Sequence, residues 1–151
     1  MNFRFVIEIL GAILAGAVIP FQTAYNTQLA RALQSPLAPA LAVFTAGFLT
    51  TVLVMLVMRA PWPSAAQVMS APVLSWAAGG FFAAVYIVLL IILAPRLGAG
   101  ATVALVMVGQ IVFGAVIDHF GLLGFEQHAL NLPRLAGMGL LAGGAALVRL
   151  Y

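Results

Sequence analysis

Five apolar runs fill almost the whole chain, at residues 5–33, 37–58, 72–94, 97–117 and 133–150. Each matches or exceeds the ~17–25 residues needed to cross the hydrocarbon core of a bilayer. Runs of this length lack the alternation of a barrel strand, and only helices satisfy every backbone group along them in lipid. The expected fold is therefore all-α, a polytopic membrane protein. It is expected to form a single transmembrane domain over residues 1–151 with five transmembrane helices. Composition argues the same way. Of the 151 residues, 65% are hydrophobic and 6% are charged. A soluble domain carries ~25% charged residues, and so few charges cannot clothe a water-soluble surface.

Prolines mark the cuts between runs. Pro36 and Pro39 open the second, Pro61 and Pro63 follow it, Pro72 opens the third, Pro95 closes it, and Pro133 opens the fifth. Proline suits a first helical turn and disrupts an interior. Pro20 lies inside the first run, where it removes a backbone hydrogen bond and is expected to kink the helix. Ala15-Gly16-Ala17 resembles a signal-peptide cleavage site. The apolar run continues past it and is interrupted upstream by Glu8, so a retained first span is expected. The longest connections, residues 59–71 and 118–132, leave no room for an extramembrane catalytic module.

The charged residues are six arginines and three acids, with no lysine and no cysteine. Disulfides, thiol nucleophiles and cysteine zinc sites are thereby excluded. Scattered arginines make no basic patch, so nucleic acid is not an expected partner. Five crossings place Arg4, Arg59 and Arg134 on one face and Arg31, Arg96 and Arg149 on the other. Orientation follows the Lys and Arg bias between short loops, and here there is none. Insertion in both orientations is expected, and an inverted copy would then create the inverted repeat that transporters use. The fifth run offers a pairing face: Ala136, Gly139, Gly143 and Ala146 recur at helical spacing, with a GxxxG inside. Small residues let helix backbones approach closely in lipid. Packing within the chain is the other use such a face can have.

Polar residues inside membrane helices are costly unless they meet a cavity or a partner. Four stand out: Gln22 and Asn26, one turn apart after Pro20, with Tyr86 in the third run and Gln110 in the fourth. Two kinds of group, amide and phenol, supply both donors and acceptors. They suit a neutral hydrogen-bonding site for substrate, or else glue between helices. Thr45, Thr50 and Thr51 are expected to bond their own helix backbone. The titratable residues gather at Asp118, His119, Glu126 and His128. Proton coupling through Asp118 and His119 is one reading, since histidine titrates near neutral pH; a solvated loop is the other. The types suit zinc, but the spacing matches no standard motif, so no metal and no cofactor is expected. Glu8 is a further acid available for coupling. It lies about ten residues, or ~15 Å, from the middle of the first span, and one turn from Arg4, which favours an interfacial ion pair. No phosphate loop or metalloprotease string occurs, so no enzyme is expected.

Several strings together resemble the YdcZ-like family of bacterial inner-membrane proteins. They are Gln22 with Asn26-Thr-Gln-Leu-Ala-Arg31 and Ser35-Pro36-Leu, Phe44-Thr-Ala-Gly47, Leu93-Ala-Pro95-Arg96-Leu-Gly98, Gly109-Gln110, Ile117-Asp118-His119-Phe120-Gly121 and Leu135-Ala-Gly137 with Arg149. The resemblance covers nearly the whole chain. It implies membership of the drug/metabolite transporter superfamily, short multi-helix units working as antiparallel pairs, and transport of a small organic solute. Related small multidrug exporters place a glutamate mid-way along the first helix. This chain departs from that pattern, since Glu8 is shallow.

The expected function is a subunit that moves a small organic solute across a bacterial inner membrane by alternating access, as a homodimer with its inverted copy. A membrane scaffold or accessory subunit pairing through the fifth helix is the alternative.

Overall fold

The computed structural model describes residues 3–151, and the described chain is α-helical throughout. Its helices are α1 (Phe3–Leu33), α2 (Ala38–Val57), α3 (Ala65–Ser70), α4 (Val73–Leu97), α5 (Ala99–Phe120) and α6 (Leu132–Leu150), with a 3₁₀ turn at Leu122–Gly124. Among the described residues, four helices are long and apolar enough to cross a membrane: α1, α2, α4 and α5. The 19-residue α6 carries Arg134 and Arg149 near its two ends and is not among them.

Helix α1 has 31 residues, which at 1.5 Å each is ~46 Å, longer than the ~30 Å hydrocarbon core. Pro20 lies within it, and the helix is continuous from Phe3 to Leu33. Ser35 ends this segment and starts the next. Its Oγ accepts from the N–H groups of Leu37 and Ala38, both at 3.3 Å, and Pro39 sits in the first turn of α2. Thr51 Oγ1 donates to the Gly47 carbonyl at 2.9 Å, the backbone bonding expected of it.

Two helix boundaries differ from the sequence expectation. Pro95 does not close the third span: α4 runs through it to Leu97. Proline's lost bond and ring clash fall on the preceding turn. The last turn still closes, because the Gly98 N–H donates to the Ala94 carbonyl at 2.9 Å. Gly98 then adopts φ +86°, which an L side chain rarely takes, and α5 starts at the next residue. The fourth run also extends past Ile117, to Phe120. In addition, the 59–71 connection holds a short helix, α3. Ser64 Oγ accepts from the Gln67 N–H at 3.3 Å, and Gln67 Oε1 accepts from the Ser64 N–H at 2.8 Å. This is a complete capping box.

The chain forms two compact units. One comprises Gln22–Ile92. Its core is a cluster of Ala40, Ile87 and Ile91, against which Ala30, Val43, Tyr86 and Val88 pack. The C-terminal part of α1, the start of α2 and the second half of α4 meet there. The other unit comprises the residues up to Phe21 together with Leu93–Tyr151. In it α5 and α6 pack antiparallel, with Asp118 at the end of α5 beside Arg134 at the start of α6. Ala101, Thr102, Ala115 and Ala145 are buried in this unit. Most large apolar side chains elsewhere are exposed, as suits helices whose surroundings are lipid.

Candidate functional site

The polar stretch of α1 divides around the helix. Thr23, at 1% exposure, is buried with Asn26, Thr27 and Ala30 half-buried beside it. These positions, at i, i+3, i+4 and i+7, share one face. Ala30 on that face joins the Ala40–Ile87–Ile91 cluster. Gln22, half-buried, lies at the edge of the face, about 100° around the helix from Thr23. Tyr25 and Gln28 point the other way and are exposed, lining a shallow open hollow with Leu29 and Ala32. The Thr27 hydroxyl is buried and meets no hydrogen-bond partner among the described residues. A hydroxyl in that state costs ~1–3 kcal/mol until something bonds it.

Tyr86 is half-buried on α4 and packs on the same cluster as Ala30. Asn26 stands one turn before Ala30 on the same face of α1. Gln110 belongs to the other unit and is exposed on α5. Gln22, Asn26 and Tyr86 thus fall in one unit and Gln110 in the other.

The titratable residues occupy the last turn of α5 and the largely exposed segment after it. Asp118 and His119 lie in the last turn of α5 rather than in the connection. Arg134 Nη2 donates to Asp118 Oδ2 at 2.6 Å, with both side chains about one-third exposed. Arg134 Nη1 donates to the His128 carbonyl at 3.1 Å, and the His128 N–H donates to the Asp118 carbonyl at 2.8 Å. His119 Nδ1 accepts the Leu130 N–H at 3.1 Å. Gln127 Nε2 donates to the His119 carbonyl at 3.0 Å. Asn131 caps α6 by accepting the Arg134 N–H at 2.9 Å. The 118–132 segment is therefore a folded strap that fastens α5 to α6, around an open hollow lined by Asp118, His128, Ala129, Asn131 and Arg134. Glu126 and His128 are exposed, and among the described residues no cluster could hold a metal ion.

Glu8 is exposed and lies 3.8 Å from Arg4 Nε. This is a surface pair one helical turn apart. On α6, Ala145 packs inward while Ala136, Gly139, Gly143 and Ala146 are exposed. A Cβ added at Gly139 or Gly143 would meet nothing within 4 Å.

The family model described as "Putative inner membrane exporter, YdcZ" matches residues 7–147. The chain belongs to this family. It is thus a multi-pass inner-membrane protein of the drug/metabolite transporter group, with a transport-related rather than a catalytic role. No curated protein and no solved structure matches it.

Sequence reasoning passed over Arg134, Asn131, Thr23 and Thr27 as site residues. Asn131-Leu-Pro133 is a legible helix start, with a cap and then a proline. The Asp118–Arg134 partnership has no local spacing to announce it. Thr23 and Thr27 stood inside the polar stretch, but periodicity alone does not say which side of a helix faces its neighbours.

Proposed function

We propose that the protein is a transporter subunit that moves a small, amphipathic organic solute by alternating access, as an antiparallel homodimer of dual topology. In this reading α6 is a fifth span beside α1, α2, α4 and α5. Its end arginines extend to the headgroups, as long cationic side chains do. Pro20 leaves the Gly16 carbonyl without its helical donor and kinks α1, fitting a long helix to a thinner bilayer. Gln22, Asn26 and Tyr86 in one unit, and Gln110 in the other, each offer the solute a neutral hydrogen-bonding group.

The observation that carries the reading is the set of uncharged polar groups left open on apolar helices. They are the exposed amide of Gln110 and the half-buried amide of Asn26, beside which the Thr27 hydroxyl is buried with no hydrogen-bond partner among the described residues. Lipid offers neither group a partner, and a polar cavity does. The exposed stripe Ala136, Gly139, Gly143 and Ala146 supports pairing with a second copy, because the packed face of α6 is a different one. Asp118 and His119 are the coupling candidates. Glu8 stands aside in its surface pair with Arg4.

Gln110→Leu tests the site. In proteoliposomes loaded with the transported solute, counterflow should vanish while crosslinking still reports the dimer. Wild-type counterflow in that variant would refute the assignment. A transport rate that does not change with pH would remove Asp118 and His119 from the mechanism.

A further inference from the structure

Between α5 and α6 runs an open groove of about 480 Å³, and every one of its ten lining residues is apolar. Gly100, Val103 and Met107 form one wall, and Leu141, Gly144 and Val148 the other. A Cβ at Gly100 or Gly144 would meet nothing within 4 Å, so no side chain of either helix fills the floor. The walls provide nothing to orient a polar molecule. They suit a flexible hydrocarbon chain.

Two arginines lie close in sequence to the residues at one end of this groove. Arg96 lies four residues before Gly100, in the last turn of α4, and Arg149 directly follows Val148. Both are exposed. The sequence contains only three acids. Glu8 sits beside Arg4, and Asp118 is held by Arg134. Glu126 lies in the strap at the far end of α5, and the 18 residues from Gly100 to Asp118 span ~27 Å. Among the described residues no side-chain carboxylate pairs with Arg96 or Arg149. Two exposed arginines without a side-chain carboxylate partner, close in sequence to the residues at one end of an apolar groove, match a phosphate bearing an acyl chain.

We propose that the groove between α5 and α6 seats an acyl chain of an anionic phospholipid whose phosphate is held by Arg96 and Arg149. The lipid completes the packing of α5 against α6 and neutralises this end of the pair. It is bound from the bilayer and is distinct from the transported solute.

The test uses the purified full-length chain in detergent, with native mass spectrometry and thermal unfolding. The probes are phosphatidylglycerol, phosphatidylcholine of the same acyl chains, and glycerol phosphate. Phosphatidylglycerol should bind and raise the unfolding temperature more than phosphatidylcholine, and glycerol phosphate should do neither. In the double variant Arg96→Gln, Arg149→Gln, the preference for phosphatidylglycerol should fall by roughly 30-fold, as expected for two arginines near a lipid headgroup. Its unfolding temperature in phosphatidylcholine should stay unchanged. Gly144→Leu should fill the groove and weaken binding of both lipids. Equal binding of the two lipids, or a preference that survives the double variant, would overturn the proposal. A shift with glycerol phosphate as large as with the lipid would also overturn it, since the acyl groove would then be idle.

Discussion

At the residue scale, Arg134 does the most for the strap that joins α5 to α6. It reaches Asp118 at 2.6 Å and the His128 carbonyl at 3.1 Å, so one guanidinium ties both ends of the segment. Lysine cannot reproduce that fork. With both partners about one-third exposed, solvent screens the pair, and Arg134→Lys should cost about 1 kcal/mol. Arg134→Leu should cost more, since Asp118 then loses its counter-charge. Thermal unfolding in detergent measures both, and hydrogen exchange at Leu130 should rise with them. Equal stability of the three proteins would show that the strap bears no strain from the loss. None of this was legible in the sequence. Asp118 and His119 stood out by type, but their partners are Arg134, Leu130 and Gln127, and only the folded strap brings these together. The α1 amides teach a related lesson. Gln22 and Asn26 share a face by spacing, yet the side that packs is centred on Thr23 and Ala30, so Gln22 sits at its edge.

At the element scale, helices were legible where hydropathy is continuous, and their ends were not always. Pro95 has the composition of a stop but lies in the final turn, where only the preceding turn feels its missing donor. The break falls at Gly98 instead, whose φ of +86° turns the chain from α4 into α5. Nothing lies within 4 Å of the position a Cβ would occupy there. Any penalty for Gly98→Ala is therefore conformational, about 1–3 kcal/mol, since this extended positive-φ region is essentially restricted to glycine. Gly100→Ala, in helical geometry and equally open, should be neutral or slightly stabilising. Comparing the two melting temperatures isolates the turn, and a Gly98→Ala protein as stable as Gly100→Ala would show that the turn relaxes. The small helix α3 announced itself through Ser64-x-x-Gln67, a capping-box pattern that its six-residue length made easy to overlook. Helix α6 is the reverse case: its small-residue stripe was plain in the sequence, while the face that meets α5, through Arg134 and Ala145, was not.

At the scale of the whole molecule, topology rests on where cations sit. If α6 is a fifth crossing, the arginines divide three to three, and all three acids share the face of Arg4, Arg59 and Arg134. Acids contribute little to orientation, so the chain remains balanced between two insertions. Small changes should then tip it. Ala66→Lys with Met69→Lys, both at exposed positions, adds two cations to the first face. Gln34→Lys with Tyr151→Lys, also exposed, adds two to the other. A C-terminal tag should appear on both sides of the membrane in the unmodified protein and on opposite single sides in the two variants. If the working unit is an inverted pair, each variant alone should lose solute counterflow, and co-expression should restore it by supplying one subunit of each orientation. Full transport by either variant alone would leave the antiparallel pair without a role. A tag confined to one side in the unmodified protein would mean that six arginines do not decide its orientation.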